Sequence, residues 1–159
     1  MAKRVGILMG SANDWDVMEC ARDALKQLGV ETDVRVISAH RTPERLVRFL
    51  ETAEAEDIGV VICGAGMSAH LAGVTAAHTL LPVLGVPIDS SPMNGFDALL
   101  STVQMPGGIP VATFGIGRSG AKNAGLFAAA ILGASDPEVR KRLVKYREDQ
   151  ASKVPDRPF

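Results

Sequence analysis

The sequence predicts an α/β fold in three layers, with a doubly wound parallel sheet of about five strands and a C-terminal helix. Short runs rich in β-branched residues alternate with segments of helical periodicity along the chain. Residues 59–63 are continuously apolar, as is typical of a strand covered by helices on both faces. The length of 159 residues fits one domain, so we expect a single domain over residues 1–159.

The first two strand–helix units are marked by where their helices start. Residues 4–9 predict the first strand, and apolar positions that recur every three or four residues from Trp15 predict the helix after it. Residues 32–37 predict the second strand. Thr42 as N-cap and Pro43 at the first helical position mark the start of the second helix.

The third unit begins with the apolar strand, which a Gly-Ala-Gly turn at 64–66 connects to a helix near 68–81. The elements predicted after it are a strand at 83–88, a loop at 89–96, a short helix at 97–103, a strand at 111–116 and a helix at 121–132. Small residues dominate the last of these helices, which favours a buried or subunit-facing position at close backbone distance.

A final helix is predicted from Asp136 and Pro137, an N-cap residue followed by proline. We expect its basic side chains to form a solvated face: Arg140, Lys141, Arg142 and Lys145. Residues 151–159 contain two prolines and predict an extended tail.

Composition argues against several classes of partner. The formal net charge of −1 provides no positive electrostatic potential that would attract nucleic acid or an anionic membrane. Cys20 and Cys63 are far apart and belong to no metal-binding pattern, so we expect two reduced thiols, without a disulfide or a zinc site. No stretch predicts a signal peptide or a membrane span, and we therefore expect a cytoplasmic protein.

Ligands of doubly wound sheets bind outside the carboxyl ends of the strands, so the loops after the first three strands are the candidate site. In the first loop, residues 10–15, Ser11 and Asn13 can donate to phosphate or sugar oxygens. Asp14 can accept hydrogen bonds from ribose hydroxyls. The alternative is that these residues only cap the following helix.

The second loop places three functional groups together. Ser38 and Arg41 supply an anion clamp, and His40 between them carries the imidazole, which is the side chain that titrates near neutral pH. A loop histidine is often only a surface residue, but its two neighbours and its place at the mouth of a parallel sheet favour a functional role.

The third loop, residues 64–71, exposes backbone amides with little side-chain cover, so a small planar group such as a carboxylate or carbon dioxide can approach closely. His70 is expected on the first turn of the next helix, where the positive end of the helix dipole disfavours protonation. We interpret it as a neutral wall-forming residue, and His78, deep in the same helix, as structural.

Residues 115–120 fit the dinucleotide fingerprint G-x-G-x-x-G between a strand and a helix. The motif follows the last predicted strand, however, and too few residues remain for another βαβ unit with an acidic ribose-binding residue. We therefore do not expect a bound NAD.

Six motifs in order carry a resemblance to one family. They are Gly-Ser-Ala-Asn-Asp-Trp at 10–15, Ser-Ala-His-Arg-Thr-Pro at 38–43, Gly-Ala-Gly-Met-Ser-Ala-His-Leu at 64–71, Pro-Val-Leu-Gly-Val-Pro at 82–87, Val-Gln-Met-Pro-Gly-Gly at 103–108 and Ala-Lys-Asn-Ala at 121–124. With them, nearly the whole chain resembles the class I N5-carboxyaminoimidazole ribonucleotide mutase family, also called the catalytic subunit of phosphoribosylaminoimidazole carboxylase.

The resemblance implies a flavodoxin-like enzyme of purine biosynthesis that uses no metal or organic cofactor, in a homo-octamer whose sites are shared between subunits. It implies that N5-carboxyaminoimidazole ribonucleotide (N5-CAIR) loses carbon dioxide, which stays trapped and is captured at ring carbon C4 to give 4-carboxy-5-aminoimidazole ribonucleotide (CAIR). His40 matches the catalytic residue and would donate one proton and later remove another.

The other site residues are carried over by position. Ser11, Asp14 and Asn13 match ribonucleotide contacts, and Ser38 and Arg41 match phosphate-side contacts. The segment lining the carboxylate and carbon dioxide pocket corresponds to Gly64, Ala65, Gly66, Met67, Ser68, His70 and Leu71.

Two alternatives remain. The chain departs from the usual family residues Gly, Ala and Pro at Met67, Ser68 and Ala72, which leaves open direct carboxylation of aminoimidazole ribonucleotide by carbon dioxide. A non-enzymatic alternative is a flavodoxin-like or receiver-type nucleotide-binding module. Receivers need acidic residues after the first strand and a phosphorylatable Asp after the third, and this chain has neither there.

Overall fold

Five parallel strands in the order β2-β1-β3-β4-β5 form the central sheet of the computed structural model, which describes residues 3–158. The strands are β1 Arg4–Met9, β2 Thr32–Val36, β3 Ile58–Gly66, β4 Val83–Ile88 and β5 Ala112–Thr113. The strand order confirms the predicted parallel sheet. It reverses direction beside β1, and this switch point opens a crevice where the loops after β1 and β3 diverge.

Helices cover both faces of the sheet, as predicted. They are α1 Trp15–Gln27, α2 Pro43–Ala53, α3 Leu71–His78, α4 Phe96–Val103, α5 Arg118–Leu132 and α6 Pro137–Ala151, with a 3-10 turn Ala12–Asp14 before α1. Buried residues of α1, α5 and α6 form one core cluster, and those of α2 and α3 form the other. Neighbouring residues of β1 divide between the two, with Ile7 in the first cluster and Leu8 in the second, because side chains alternate across a strand.

The small residues of α5 allow it to pack closely on α1. A Cβ atom built on Gly125 would lie 2.6 Å from the carbonyl oxygen of Ala21, so only glycine fits at this crossing. The predicted buried position of this helix is confirmed, and the helix begins at Arg118, three residues before the predicted start.

The third unit differs from its prediction at both ends of its loop. Residues 64–66 do not turn but continue β3, where they pair with 86–88 of β4. Helix α3 is shorter than predicted, because Met67 has a left-handed backbone with φ of 54° and Thr79 is extended. His70 is therefore the N-cap residue rather than a first-turn residue. His78 is the last residue of α3 and is exposed, so its predicted deep position was wrong.

Three smaller predictions also need correction. Strand β5 is only two residues long, since it lies at the sheet edge and pairs with Leu84 and Gly85 alone. Thr42 is the N-cap residue of α2 and Pro43 its first residue, as predicted, but the Thr42 hydroxyl donates to the Ser38 carbonyl, 3.0 Å away, instead of bonding to the helix. Arg142 does not belong to a solvated face, because its Nε donates to the Leu28 carbonyl at 2.6 Å.

The C-terminal region is described as far as residue 158. Asp136 caps α6 by accepting hydrogen bonds from the N–H groups of Glu138 and Val139, as predicted. Helix α6 includes Ala151, the first residue of the predicted tail, and hydrogen-bonded turns follow at 152–154. The last predicted tail residue, 159, lies outside the described residues.

None of the helices within residues 3–158 combines the length and the apolar character that a membrane span requires.

Candidate active site

A cavity of about 470 Å³ opens at the carboxyl ends of the strands. The loops after β1, β2, β3 and β4 line it with Gly10, Ser11, Asp14, Ser38, Ala39, His40, Arg41, Ala65, Gly66, Met67, Ser68, His70, Leu71 and Ser90. The structure thus brings together eleven of the thirteen predicted site residues; Asn13 and Gly64 do not line the cavity. A larger depression of about 900 Å³ lies between α5 and α6, but no imidazole, thiol or carboxylate lines it.

The first loop holds Ser11 and Asp14 in a reciprocal capping arrangement. The Ser11 N–H donates to Asp14 Oδ2 at 2.9 Å, and the Ser11 hydroxyl accepts from the Asn13 N–H at 3.2 Å. The capping role considered as an alternative is therefore present, and the same two side chains also border the cavity. Asn13 itself is exposed outside it.

Asp14 is the buried carboxyl group of the site, with 8% of its surface exposed. Burial raises the pKa of Asp14 above its ordinary value, because a carboxylate loses hydration there. The Ser11 N–H and the positive charge of Arg41 act in the opposite direction. A negative oxygen at this position suits a partner that donates hydrogen bonds, such as a sugar hydroxyl.

Arg41 connects the first two loops. Its Nη2 donates to the Gly10 carbonyl at 2.9 Å, and its Nε donates to the Ser38 hydroxyl at 3.2 Å. The Ser38 hydroxyl also accepts from the Arg41 backbone N–H at 3.2 Å. These bonds hold the guanidinium at the cavity while Nη1 makes no side-chain hydrogen bond within residues 3–158. A fixed cation of this kind is suited to binding a phosphate or carboxylate.

His40 and His70 meet across the cavity. His40 Nε2 lies 2.9 Å from His70 Nδ1, and the two rings are nearly perpendicular at 84°. Sequence reasoning placed both residues in the site but did not predict their contact, because it depends on how closely the loops after β2 and β3 approach each other. Both side chains are exposed to the cavity.

The end of β3 forms a bare backbone wall. Ala65 and Gly66 line the cavity, and a Cβ atom on Gly66 would collide with the Ser90 hydroxyl. Gly64 is buried against Met18 instead of facing the cavity. The structure adds Ser90, from the loop after β4, which sequence reasoning missed. Its signal was available, since two polar residues, Asp89 and Ser90, follow the fourth strand at the same sheet edge.

The remaining reactive groups lie elsewhere. Within residues 3–158, no three His, Cys, Asp or Glu side chains are grouped so that they could hold a metal ion. Cys63 is fully buried and donates to the Thr75 hydroxyl at 3.4 Å. Burial raises the pKa of Cys63 to about 12, so the thiolate is not available as a nucleophile near neutral pH.

Comparisons with known proteins identify the family of this chain. A family model described as AIR carboxylase matches residues 4–153. The N5-carboxyaminoimidazole ribonucleotide mutase of Brucella melitensis is 52% identical, over 99% of this chain and 98% of its own length. The mutase of the same name from Pyrococcus abyssi is 56% identical, over 92% of this chain and 83% of its own.

The crystal structure of Treponema denticola PurE has the same architecture. It matches 95% of this chain and 93% of its own, with a TM-score of 0.86 and 34% sequence identity. The family match, the relatives and the shared fold cover nearly the whole chain and agree with one another. This chain belongs to the AIR carboxylase family.

Proposed function

We propose that this enzyme interconverts N5-CAIR and CAIR, the mutase reaction of de novo purine biosynthesis. The curated relatives that are about half identical to it carry the name of that activity. The observation that carries the proposal is the convergence of His40, the Arg41 guanidinium and the bare end of β3 in one cavity. A non-enzymatic nucleotide-binding module loses its support, because the chain belongs to a family of enzymes.

The polar residues around the cavity can hold a ribonucleotide in one orientation. Arg41 and Ser38 would bind the phosphate, since Arg41 is already fixed by two side-chain hydrogen bonds. Ser11 and Asp14 would contact the ribose, with the carboxylate accepting from a hydroxyl. Asn13 is exposed beside this loop, and we propose that it joins the contacts when the nucleotide binds.

The chemistry requires a proton donor, a proton acceptor and a place for carbon dioxide. N5-CAIR loses carbon dioxide while His40 donates a proton to the exocyclic nitrogen; C4 then attacks the carbon dioxide, and His40 removes the C4 proton. The wall formed by residues 65–68 would hold the carbon dioxide beside C4. Such positioning replaces a bimolecular capture by an intramolecular one and can be worth roughly 7–11 kcal/mol.

Direct carboxylation of aminoimidazole ribonucleotide is the second candidate. The description of the family model names a carboxylase, and Met67 and Ser68 occupy the proposed carbon dioxide wall. The two reactions are separated by supplying the purified enzyme with synthetic N5-CAIR or with aminoimidazole ribonucleotide plus bicarbonate, without ATP, while following product absorbance. We expect rapid turnover of N5-CAIR; turnover of the second mixture alone would contradict the mutase assignment.

We further propose that residues 1–159 act as a single catalytic domain, without a metal or organic cofactor, in a homo-octamer. Support for assembly comes from the outer face of α4, where Phe96, Leu100 and Val103 are 61%, 54% and 47% exposed. These positions repeat every three or four residues and form an apolar stripe that suits a subunit contact. The cytoplasmic location stays a prediction from the sequence.

A further inference from the structure

The two imidazoles of the cavity form a pair that a single-histidine mechanism does not require. We propose that His70 is a positioning residue for His40, and that it accepts a hydrogen bond from His40 Nε2. The other ring nitrogen of His40, Nδ1, is then the atom that exchanges protons with the substrate. This inference rests on the proposed mutase function, and it assigns the proton transfers of His40 to one atom of its ring.

The distance between the rings defines the interaction. At 2.9 Å, His40 Nε2 and His70 Nδ1 are separated by the length of one N–H···N hydrogen bond. Only one proton fits between the two nitrogens, so one ring donates and the other accepts. The nearly perpendicular arrangement at 84° is an edge-on contact rather than a stack.

The protons that His40 carries determine which ring accepts. His70 is the N-cap residue of α3, and its ring faces the edge of His40. When His40 is an imidazolium, both of its ring nitrogens carry a proton, so His70 Nδ1 must be unprotonated to accept the hydrogen bond. A neutral His70 with its proton on Nε2 leaves Nδ1 as the acceptor, and His40 donates through Nε2–H.

The proton balance follows from this arrangement. At the start His40 is an imidazolium with both N–H bonds, and it gives the Nδ1 proton to the exocyclic nitrogen as the bond to carbon dioxide breaks. After C4 has bonded to carbon dioxide, the C4–H bond breaks, its electron pair returns to the substrate ring and the proton goes to Nδ1. His40 ends as it began, while His70 holds Nε2–H throughout and gains no proton. Within residues 3–158, His40 Nδ1 has no hydrogen-bond partner that would compete.

Two substitutions at position 70 separate hydrogen bonding from packing. Asparagine can place an acceptor oxygen where His70 Nδ1 lies, whereas phenylalanine keeps a planar ring and removes the acceptor. For His70→Phe we expect kcat to fall about 10- to 100-fold, with KM changed less than about threefold, because a transition-state interaction is lost. His70→Asn should recover most of this loss. His78→Asn, at the exposed far end of α3, is the matched control and should turn over like the wild type.

A spectroscopic measurement tests the pairing without the reaction. In enzyme labelled with 15N-histidine, nitrogen chemical shifts identify the tautomer of each of the three histidines. We expect neutral His40 to carry its proton on Nε2 in the wild type and to become a mixture of tautomers in His70→Phe. Any of three results would overturn the inference. Neutral His40 of the wild type could carry its proton on Nδ1, His70→Phe could keep the wild-type kcat, or the kcat of His70→Asn could be no higher than that of His70→Phe. If wild-type enzyme failed to convert N5-CAIR, the proposed function would fail. The tautomer of His40 would still show whether it donates a hydrogen bond to His70.

Discussion

Arg41 holds two loops of the cavity together and, in the proposed function, also binds the phosphate. It uses Nε and Nη2 to bind the Ser38 hydroxyl and the Gly10 carbonyl, which leaves the rest of the guanidinium for an anion. A lysine has the charge but not the planar fork, so it cannot keep these two bonds and bind phosphate at once.

We therefore predict that Arg41→Lys raises KM for N5-CAIR about 10- to 100-fold, the equivalent of one charged hydrogen bond, with kcat within about threefold. Steady-state kinetics would check this. Arg45→Lys on α2 is a suitable control, because Arg45 is exposed and does not line the cavity. A fall in kcat at unchanged KM would show that Arg41 acts on the chemical step instead.

Asp14 gives the site a pH-dependent cost in stability. Because its pKa is raised in the folded state, its ionised form is less favourable there than in the unfolded chain. The cost is absent well below the ordinary pKa of 3.8 and appears as the pH rises through the folded-state pKa. Asp14→Asn removes the charge but keeps an oxygen that can accept from the Ser11 N–H.

We predict that Asp14→Asn raises the melting temperature at pH 7 and that this difference disappears below about pH 3, where the carboxyl group is largely protonated in the folded and the unfolded chain. Thermal unfolding by circular dichroism at both pH values would measure it. A variant less stable than the wild type at pH 7 would mean that the attraction of Arg41 outweighs the burial of the carboxylate.

Eleven predicted site residues line the cavity. They could be predicted from the sequence because ligands of parallel sheets bind in the loops at the carboxyl ends of the strands. Asn13 is exposed on the 3-10 turn before α1, and Gly64 lies inside β3 against Met18; this rule specifies neither orientation. Ser90 was missed because only the first three loops were considered. The bond between His40 and His70 joins residues 30 apart, and no periodicity encodes such a contact.

Among the elements, the strands and helices of the central units were predictable, while their ends were not. Glycines at 64 and 66 predicted a turn, yet pairing with β4 keeps this segment extended. Met67 stands where the resembled family usually has glycine. Its backbone is left-handed, a conformation that glycine adopts more easily than other residues, which explains why glycine is usual there. Strand β5 is shorter than predicted because an edge strand has one neighbour to define it.

The contact between α1 and α5 supplies the clearest prediction about an element. Gly125→Ala introduces a methyl group 2.6 Å from the Ala21 carbonyl oxygen, so the two helices must separate. We predict a loss of about 1–3 kcal/mol in the free energy of unfolding, measured by urea denaturation.

Gly107→Ala is the matched control for that experiment, because nothing lies within 4 Å of a Cβ atom there. The same chemical change should then leave stability within about 0.5 kcal/mol of the wild type. Equal effects of the two substitutions would contradict the role of close helix packing.

At the scale of the whole molecule, the sheet order places the site at the switch point beside β1, and α4 presents its apolar stripe outward. We predict that native mass spectrometry of the wild type gives eight times the chain mass. Leu100→Asp, which puts a charge into the stripe, should shift the population to smaller species. Gln27→Asp, an exposed polar position on α1, is the control and should remain octameric. A monomeric wild type would refute the assembly.

The central claim is that one imidazole carries the proton transfers of the mutase reaction. Its most direct test compares wild type and His40→Asn for turnover of N5-CAIR, with CAIR binding measured on the same preparations by calorimetry. We predict that His40→Asn lowers kcat by at least about 100-fold, the usual minimum for loss of a general acid–base group, with the dissociation constant of CAIR within about threefold. A variant that binds CAIR and still turns over N5-CAIR at the wild-type rate would contradict the account.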